Sequence, residues 1–145
     1  MQKIIPFLWF DGKALEAAKY YVSIFKNSSI THTDPMSTTF QLDGQDFYAI
    51  NGGPQFKFTE AISMFVNCET QQEVDELWSR LSAGGSESRC GWLKDKYGLS
   101  WQIIPTTLMK LMRDKDPKKS KAVFNAMLTM GKIDIKTLQE AYDKA

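Results

Sequence analysis

From Ile4 to Phe10 the chain is apolar without alternation, the pattern of a strand covered on both faces and confined by Pro6 and Asp11. After the Asp11-Gly12 turn, Leu15, Ala18, Val22 and Phe25 recur at helical spacing with Glu16, Lys19 and Ser23 between them, which predicts an amphipathic helix ended by Asn27-Ser28-Ser29. A short strand between Ile30 and Thr33 is expected next. Two β-rich runs follow, Thr38 to Leu42 and Phe47 to Ile50, joined as a hairpin by Asp43-Gly44. Asn51-Gly52-Gly53-Pro54 then breaks the chain, because two glycines and a proline favour turn geometries that neither helix nor strand sustains.

Beyond the break the order repeats. Ile62 to Val66 is an apolar strand, and Thr70-x-x-Glu73 is a capping box for a helix whose apolar face is Val74, Leu77 and Leu81. Gly84-Gly85 suits the helix C-terminus. Ser86 to Gly91, Trp92 to Lys96 and Ser100 to Ile104 read as three strands, the last two joined through Lys96-Tyr97-Gly98. Both halves thus run strand, helix, three strands, a duplicated pattern without residue identity. After Pro105 the character becomes helical: a short turn over Leu108 to Met112, a helix capped by Asp116-Pro117 and running through Met130, and a last helix opened by Asp134. Val123, Phe124, Met127 and Leu128 form a stripe that must cover either the domain's own sheet or a second subunit.

Composition narrows the classes. A chain of 145 residues that is 43% hydrophobic and 24% charged is an ordinary globular protein, and 18 basic against 17 acidic side chains leave no cationic field for nucleic acid or anionic lipid. The basic run from Lys115 to Lys121 is interrupted by Asp116 and reads as a solvated helix face. Cys68 and Cys90 form neither a CxxC pair nor a disulfide framework, which suits a reducing compartment. Ile4 to Phe10 is too short for a membrane span, so a cytoplasmic protein with no membrane partner is expected.

The stretches LWFDGKALEAAKYYVSIF, LDGQDFYAINGGPQFKFTEAISMFVNCETQQEVDELW, CGWLKDKYGLSWQIIP and AMLTMGKIDIKTLQEA resemble the PhnB-like branch of the glyoxalase, bleomycin-resistance and dioxygenase (vicinal oxygen chelate) superfamily, often labelled 3-demethylubiquinone-9 3-methyltransferase. The resemblance implies an α+β fold of two βαβββ modules, about 1–53 and 60–105, forming a curved mixed sheet around a pocket, with a helical tail from about 106 to 145. It also implies one domain over residues 1–145 and a homodimer that can share its cavity. It implies no reaction, because the superfamily hosts isomerases, dioxygenases, thiol transferases and drug-sequestering proteins.

Superfamily enzymes generally hold a divalent metal with His and Glu side chains. Matched by register, those positions fall near Ile4, near Ala61 and on Gln102, none a good ligand for a cation that wants imidazole or carboxylate. His32, the only histidine, lies away from them and reads as a surface or hydrogen-bonded residue. No metal and no cofactor is therefore expected. A Rossmann-type S-adenosylmethionine site needs a glycine-rich loop between a parallel strand and a helix N-terminus, a context that neither Gly52-Gly53 nor Gly84-Gly85 has. Cys90, beside Arg89, is a weak candidate nucleophile without a nearby base, against its reading as a small buried hydrophobe; Cys68 reads as inert.

What remains is a lining of Phe10, Phe47, Asn51, Phe58, Phe65, Trp92 and Gln102, suited to a flat or apolar ligand oriented by Asn51 and Gln102, against the reading that these aromatics form the core. Period-two alternation sends Trp101 toward the helices if Gln102 faces the pocket. Trp92 fits either reading. The chain is expected to bind a small molecule without a metal. The alternatives are a metal-independent lyase, isomerase or transferase using Gln102, Asn51 or Cys90, and an interaction module that docks a partner through its tail.

Overall fold

A computed structural model describes residues 2–145. The chain falls into two compact units that divide between Phe58 and Thr59.

In the first unit, β1 (Phe7–Phe10), α1 (Ala14–Ile24), β2 (Ser29–Thr33), β3 (Ser37–Leu42) and β4 (Gln45–Asn51) build a four-stranded sheet in the order β1-β4-β3-β2. β1 pairs parallel to β4, as a strand-helix-strand crossover allows, and the other neighbours are antiparallel. The first strand is shorter than the apolar run suggests and is not covered on both sides. Pro6 has no amide to give, so only its carbonyl joins the ladder, accepting from the Tyr48 amide at 2.9 Å. Ile4 and Phe7 stand 86% and 59% exposed, whereas Leu8 and Phe10 are buried. The cause is that β1 is an edge strand with a helix on one face only. The buried face of α1 is Ala14, Ala17, Ala18, Tyr21 and Ile24, one position off the expected stripe, with Leu15, Val22 and Phe25 left half-buried at its flanks. Three alanines let the helix sit close to the sheet, and Tyr21 meets Phe40 while Phe40 stacks on Phe47 at 5.3 Å.

The second unit repeats this topology. β5 (Ser63–Cys68), α2 (Gln71–Ser82), β6 (Ser86–Glu87), β7 (Trp92–Lys94) and β8 (Ser100–Pro105) form a sheet in the order β5-β8-β7-β6, again with its first and last strands parallel. The capping box forms with a one-residue offset: Thr70 Oγ1 accepts from the Glu73 amide, but the Glu73 carboxylate takes the amide of Glu69 rather than that of Thr70. Val74, Leu77, Trp78 and Leu81 are buried, and Gly84 takes a φ of +77° just past the helix end.

The two middle strands are shorter than expected for identifiable reasons. Cys90 and Gly91 adopt φ values of +58° and +84°, and their amides donate to Met130 and Gly131 carbonyls, so these amides are lost to the ladder and Gly91 keeps only its carbonyl on β8, accepting from the Ile103 amide at 2.8 Å. At the other end the Asp95 side chain takes the amides of Tyr97 and Leu99, which folds the chain into a turn directly after Lys94.

The tail forms α3 (Thr106–Met112), α4 (Pro117–Leu128) and α5 (Ile135–Lys144). Asp116 caps α4 and Asp134 caps α5, each accepting a backbone amide of the first turn. The tail packs on its own unit: Leu108, Leu111, Val123, Met130, Ile133 and Leu138 bury one end of β8 at Ile104. Gln71 of α2 ties it down, donating to the Ile133 carbonyl and accepting from the Ile135 amide. The expected stripe on α4 is divided, Val123 lying in this core while Phe124 and Leu128 remain exposed. No helix among the described residues is long and apolar enough to cross a membrane.

Candidate functional site

Each sheet has one face covered by the helix of its own strand-helix-strand crossover and an opposite face, which in the second unit meets the tail at Ile104, and strand parity assigns side chains between them. In the second unit Leu93, Trp101 and Ile103 lie on one face and are buried. Trp101 is fixed there by its indole N–H, which donates to Asp95 Oδ2 at 2.9 Å. The other face carries Ser63, Phe65 and Asn67 of β5, Gln102 of β8, and Trp92 and Lys94 of β7. Register aligns Phe65 with Gln102 and Gln102 with Trp92, so these three side chains form one row across three strands. Gln102 is half-buried and its amide N–H donates to Ser63 Oγ at 2.9 Å, which sets the orientation of its carbonyl oxygen. Phe65 is 45% exposed at one end of the row and Trp92 half-buried at the other. Lys94 pairs with Glu60 at 2.7 Å across the next row, where Ser100 Oγ is buried without a hydrogen-bond partner among the described residues.

Phe65 also begins a cleft of about 680 Å³. Its walls are Phe65 and Asn67 of β5 and Thr106, Met109, Lys110 and Arg113 along and just past α3.

The seven side chains expected to line a pocket therefore separate. Phe65, Trp92 and Gln102 come together. Phe10 and Phe47 instead lie in the core beneath α1, and Phe58 packs edge-to-face on Phe10 at 5.4 Å. Asn51 shares their face and holds the start of α1, its Oδ1 accepting from the Ala14 amide at 2.9 Å while its Nδ2 donates to the Pro35 carbonyl. Its polar atoms serve the fold of the first unit. Cys90 lies in the bend before β7, its amide bonded to the tail. Cys68 is fully buried, and burial, with help from Glu73 and Glu69, pushes its thiol up to about 12. His32 is bound to Asp34 at 2.9 Å on an exposed strand.

On the helix-free face of the first sheet sit residues that the sequence reading passed over. Phe7 meets Tyr48, and Trp9 meets Phe56 at 4.9 Å while donating to the Gly53 carbonyl. The available signal was parity: with Phe10 beneath the helix, its neighbour Trp9 must face the other way. Gly52 permits this arrangement, since a Cβ there would fall 2.3 Å from the Trp9 ring.

The fold family implies a divalent metal, and the donor set does not fit one. Ile4 and Ala61 precede β1 and β5 and carry no side-chain ligand atom, and Gln102 offers only a neutral amide oxygen, where a divalent cation wants imidazole or carboxylate. Among the described residues no group of three His, Cys, Asp or Glu side chains is arranged to hold an ion.

Comparison with known proteins places this geometry. The sequence model of a family described as 3-demethylubiquinone-9 3-methyltransferase matches residues 2–104. A Bacillus cereus structure titled putative 3-demethylubiquinone-9 3-methyltransferase, PhnB protein, is 38% identical, with a TM-score of 0.65 over 72% of this chain and 99% of that one. Protein PA1353 from Pseudomonas aeruginosa, 18% identical, matches with a TM-score of 0.60 over 72% of this chain and 98% of its own. A glyoxalase/bleomycin resistance protein from Albidiferax ferrireducens, 10% identical, matches at 0.50 over 69% of this chain and 95% of its own; these last two likenesses concern the fold alone. A search of curated proteins finds no match. The chain belongs to the PhnB-like family described as 3-demethylubiquinone-9 3-methyltransferase, with the glyoxalase/bleomycin-resistance fold of the vicinal oxygen chelate superfamily.

Proposed function

We propose that this protein binds a flat, largely apolar organic molecule on the face of its second sheet opposite α2, beside the helical tail, without a metal held by protein side chains. The observation that carries the reading is the Phe65-Gln102-Trp92 row. Two aromatic surfaces flank one oriented amide, which offers stacking area and a single hydrogen-bond group to fix a ligand's direction. The donor chemistry at Ile4, Ala61 and Gln102 supports the metal-free part of the reading. Methyl transfer from S-adenosylmethionine is not part of it. Gly52-Gly53 leads from β4 into Pro54 with no helix following, and Gly84-Gly85 comes after a helix, so neither makes a phosphate-type loop at a helix N-terminus. A homodimer belongs to the same proposal, since Ile4 and Phe7 give the exposed edge strand β1 an apolar border that a second copy would cover.

Native mass spectrometry of protein purified without added metal, set against its denatured mass, tests this directly. A dimer carrying a reproducible organic mass is the expected result, and Gln102→Ala should lose that mass while keeping the far-UV spectrum. Stoichiometric divalent metal in the native species would refute the reading.

A further inference from the structure

The helical tail begins where the match to the family ends, at residue 104, and its first helix supplies most of one wall of the cleft beside Phe65. That wall is chemically uneven. Met109 is apolar, Thr106 offers a hydroxyl, and Lys110 and Arg113 stand one helical turn apart on the same side, facing Phe65 and Asn67 across the opening. Neither cation has an ion pair or hydrogen bond among the described residues, although the acidic neighbour Asp114 is close in sequence. Asp114 is engaged elsewhere, accepting from the Tyr142 hydroxyl at 2.7 Å and from the Asp116 amide. Two like charges one turn apart repel, and an unpaired pair of this kind beside an apolar surface is relieved by an anion.

We propose that the tail converts this cleft into an acid-recognition subsite, so that the molecule bound by the second sheet is an organic anion. An aromatic or aliphatic body would lie against Phe65 and Met109, and a carboxylate, sulfonate or phosphate group would be held by Lys110 and Arg113. Asn67 and Thr106 are placed to share the remaining hydrogen bonds. Arg113 can grip two oxygens of such a group at once, while Lys110 acts as a point charge. The inference rests on the small-molecule reading above, because Phe65 belongs both to the row and to the cleft.

Two fluorescent probes of similar shape separate the possibilities: the anion 1-anilinonaphthalene-8-sulfonate and the neutral N-phenyl-1-naphthylamine, each titrated into the full chain. In Lys110→Ala/Arg113→Ala the anionic probe should bind about three- to tenfold more weakly, as expected for losing two partly solvated charge contacts. The neutral probe should be unaffected. Lys118→Ala/Lys121→Ala, on the exposed side of α4, should bind both probes like the parent. Unchanged affinity for the anion in the first variant would overturn the subsite, as would an equal loss in the second, which would reveal only general attraction. Phe65→Ala reads the underlying proposal separately: if it leaves both probes unaffected, or if neither probe binds the parent, the small-molecule site itself fails and the subsite with it.

Discussion

Replacing Asp95 by Asn should destabilise the second unit by about 2–4 kcal/mol, although the change adds and removes almost no volume. Asp95 is only 2% exposed and its two oxygens have separate tasks. Oδ1 accepts the amides of Tyr97 and Leu99 at 2.8 and 3.1 Å, which makes the turn between β7 and β8; Oδ2 accepts the Trp101 indole. An asparagine can keep its carbonyl on the turn, but its NH2 group then meets the indole N–H, donor against donor. Trp101 is 2% exposed, so that N–H cannot turn to water, and leaving it unmet costs about 1–3 kcal/mol. The two turn bonds also lose their charge assistance, about 1 kcal/mol each, offset in part because a neutral amide is cheaper to bury than a carboxylate. Urea unfolding followed by far-UV circular dichroism measures the sum, with an unchanged slope showing that the folded state survives. Trp101→Phe completes a double-mutant cycle, in which the pair should be less harmful together than the sum of the single changes by about 1–2 kcal/mol. A loss under about 0.5 kcal/mol for Asp95→Asn, or strict additivity, would refute the assignment of Asp95 as the anchor of this hairpin.

Three further expectations concern the rest of the molecule. At pH 8 an aromatic disulfide reagent should modify one thiol of the folded protein and two in denaturant, since Cys68 is fully buried with its thiol pushed up to about 12; two fast equivalents in the native state would contradict that burial. Asp34 is held down to about 2, first by His32 and then by the Met36 and Ser37 amides. Its contribution to the β2–β3 turn should therefore be complete above the ordinary carboxylate value near 4 and fade as the pH falls toward 2; a carboxyl titration midpoint by NMR that stays near 4 would show that the turn does not hold it. Gln71→Ala should free the tail at Ile133 and Ile135, lowering stability by about 1–3 kcal/mol and speeding hydrogen exchange at the Ile135 amide; protection equal to the parent would mean that apolar packing alone secures α5.

Periodicity, turn residues and caps were sufficient to establish the duplicated strand-helix-three-strand order and the three tail helices, because each depends on contacts within a few residues. Thr70, Asp116 and Asp134 cap helices through their own local backbone, and Gly84 ends α2 through its own φ. The face to which each aromatic is assigned is a different kind of fact. Phe10 and Trp9, or Trp101 and Gln102, are adjacent in sequence and lie on opposite sides of a sheet, so the choice depends on where the helix packs and on strand register, both of them long-range. Hence Phe10, Phe47 and Asn51, plausible as pocket lining, serve the core and the start of α1, and Trp9 and Tyr48 were overlooked. The shortened β6 and β7 have the same origin: amides of Cys90 and Gly91 are captured by carbonyls some forty residues later in the chain. Only tertiary structure could bring Phe65 beside Lys110 and Arg113, because the charge of the tail and the apolar surface of β5 become one cleft through packing at Ile104, which no local pattern encodes.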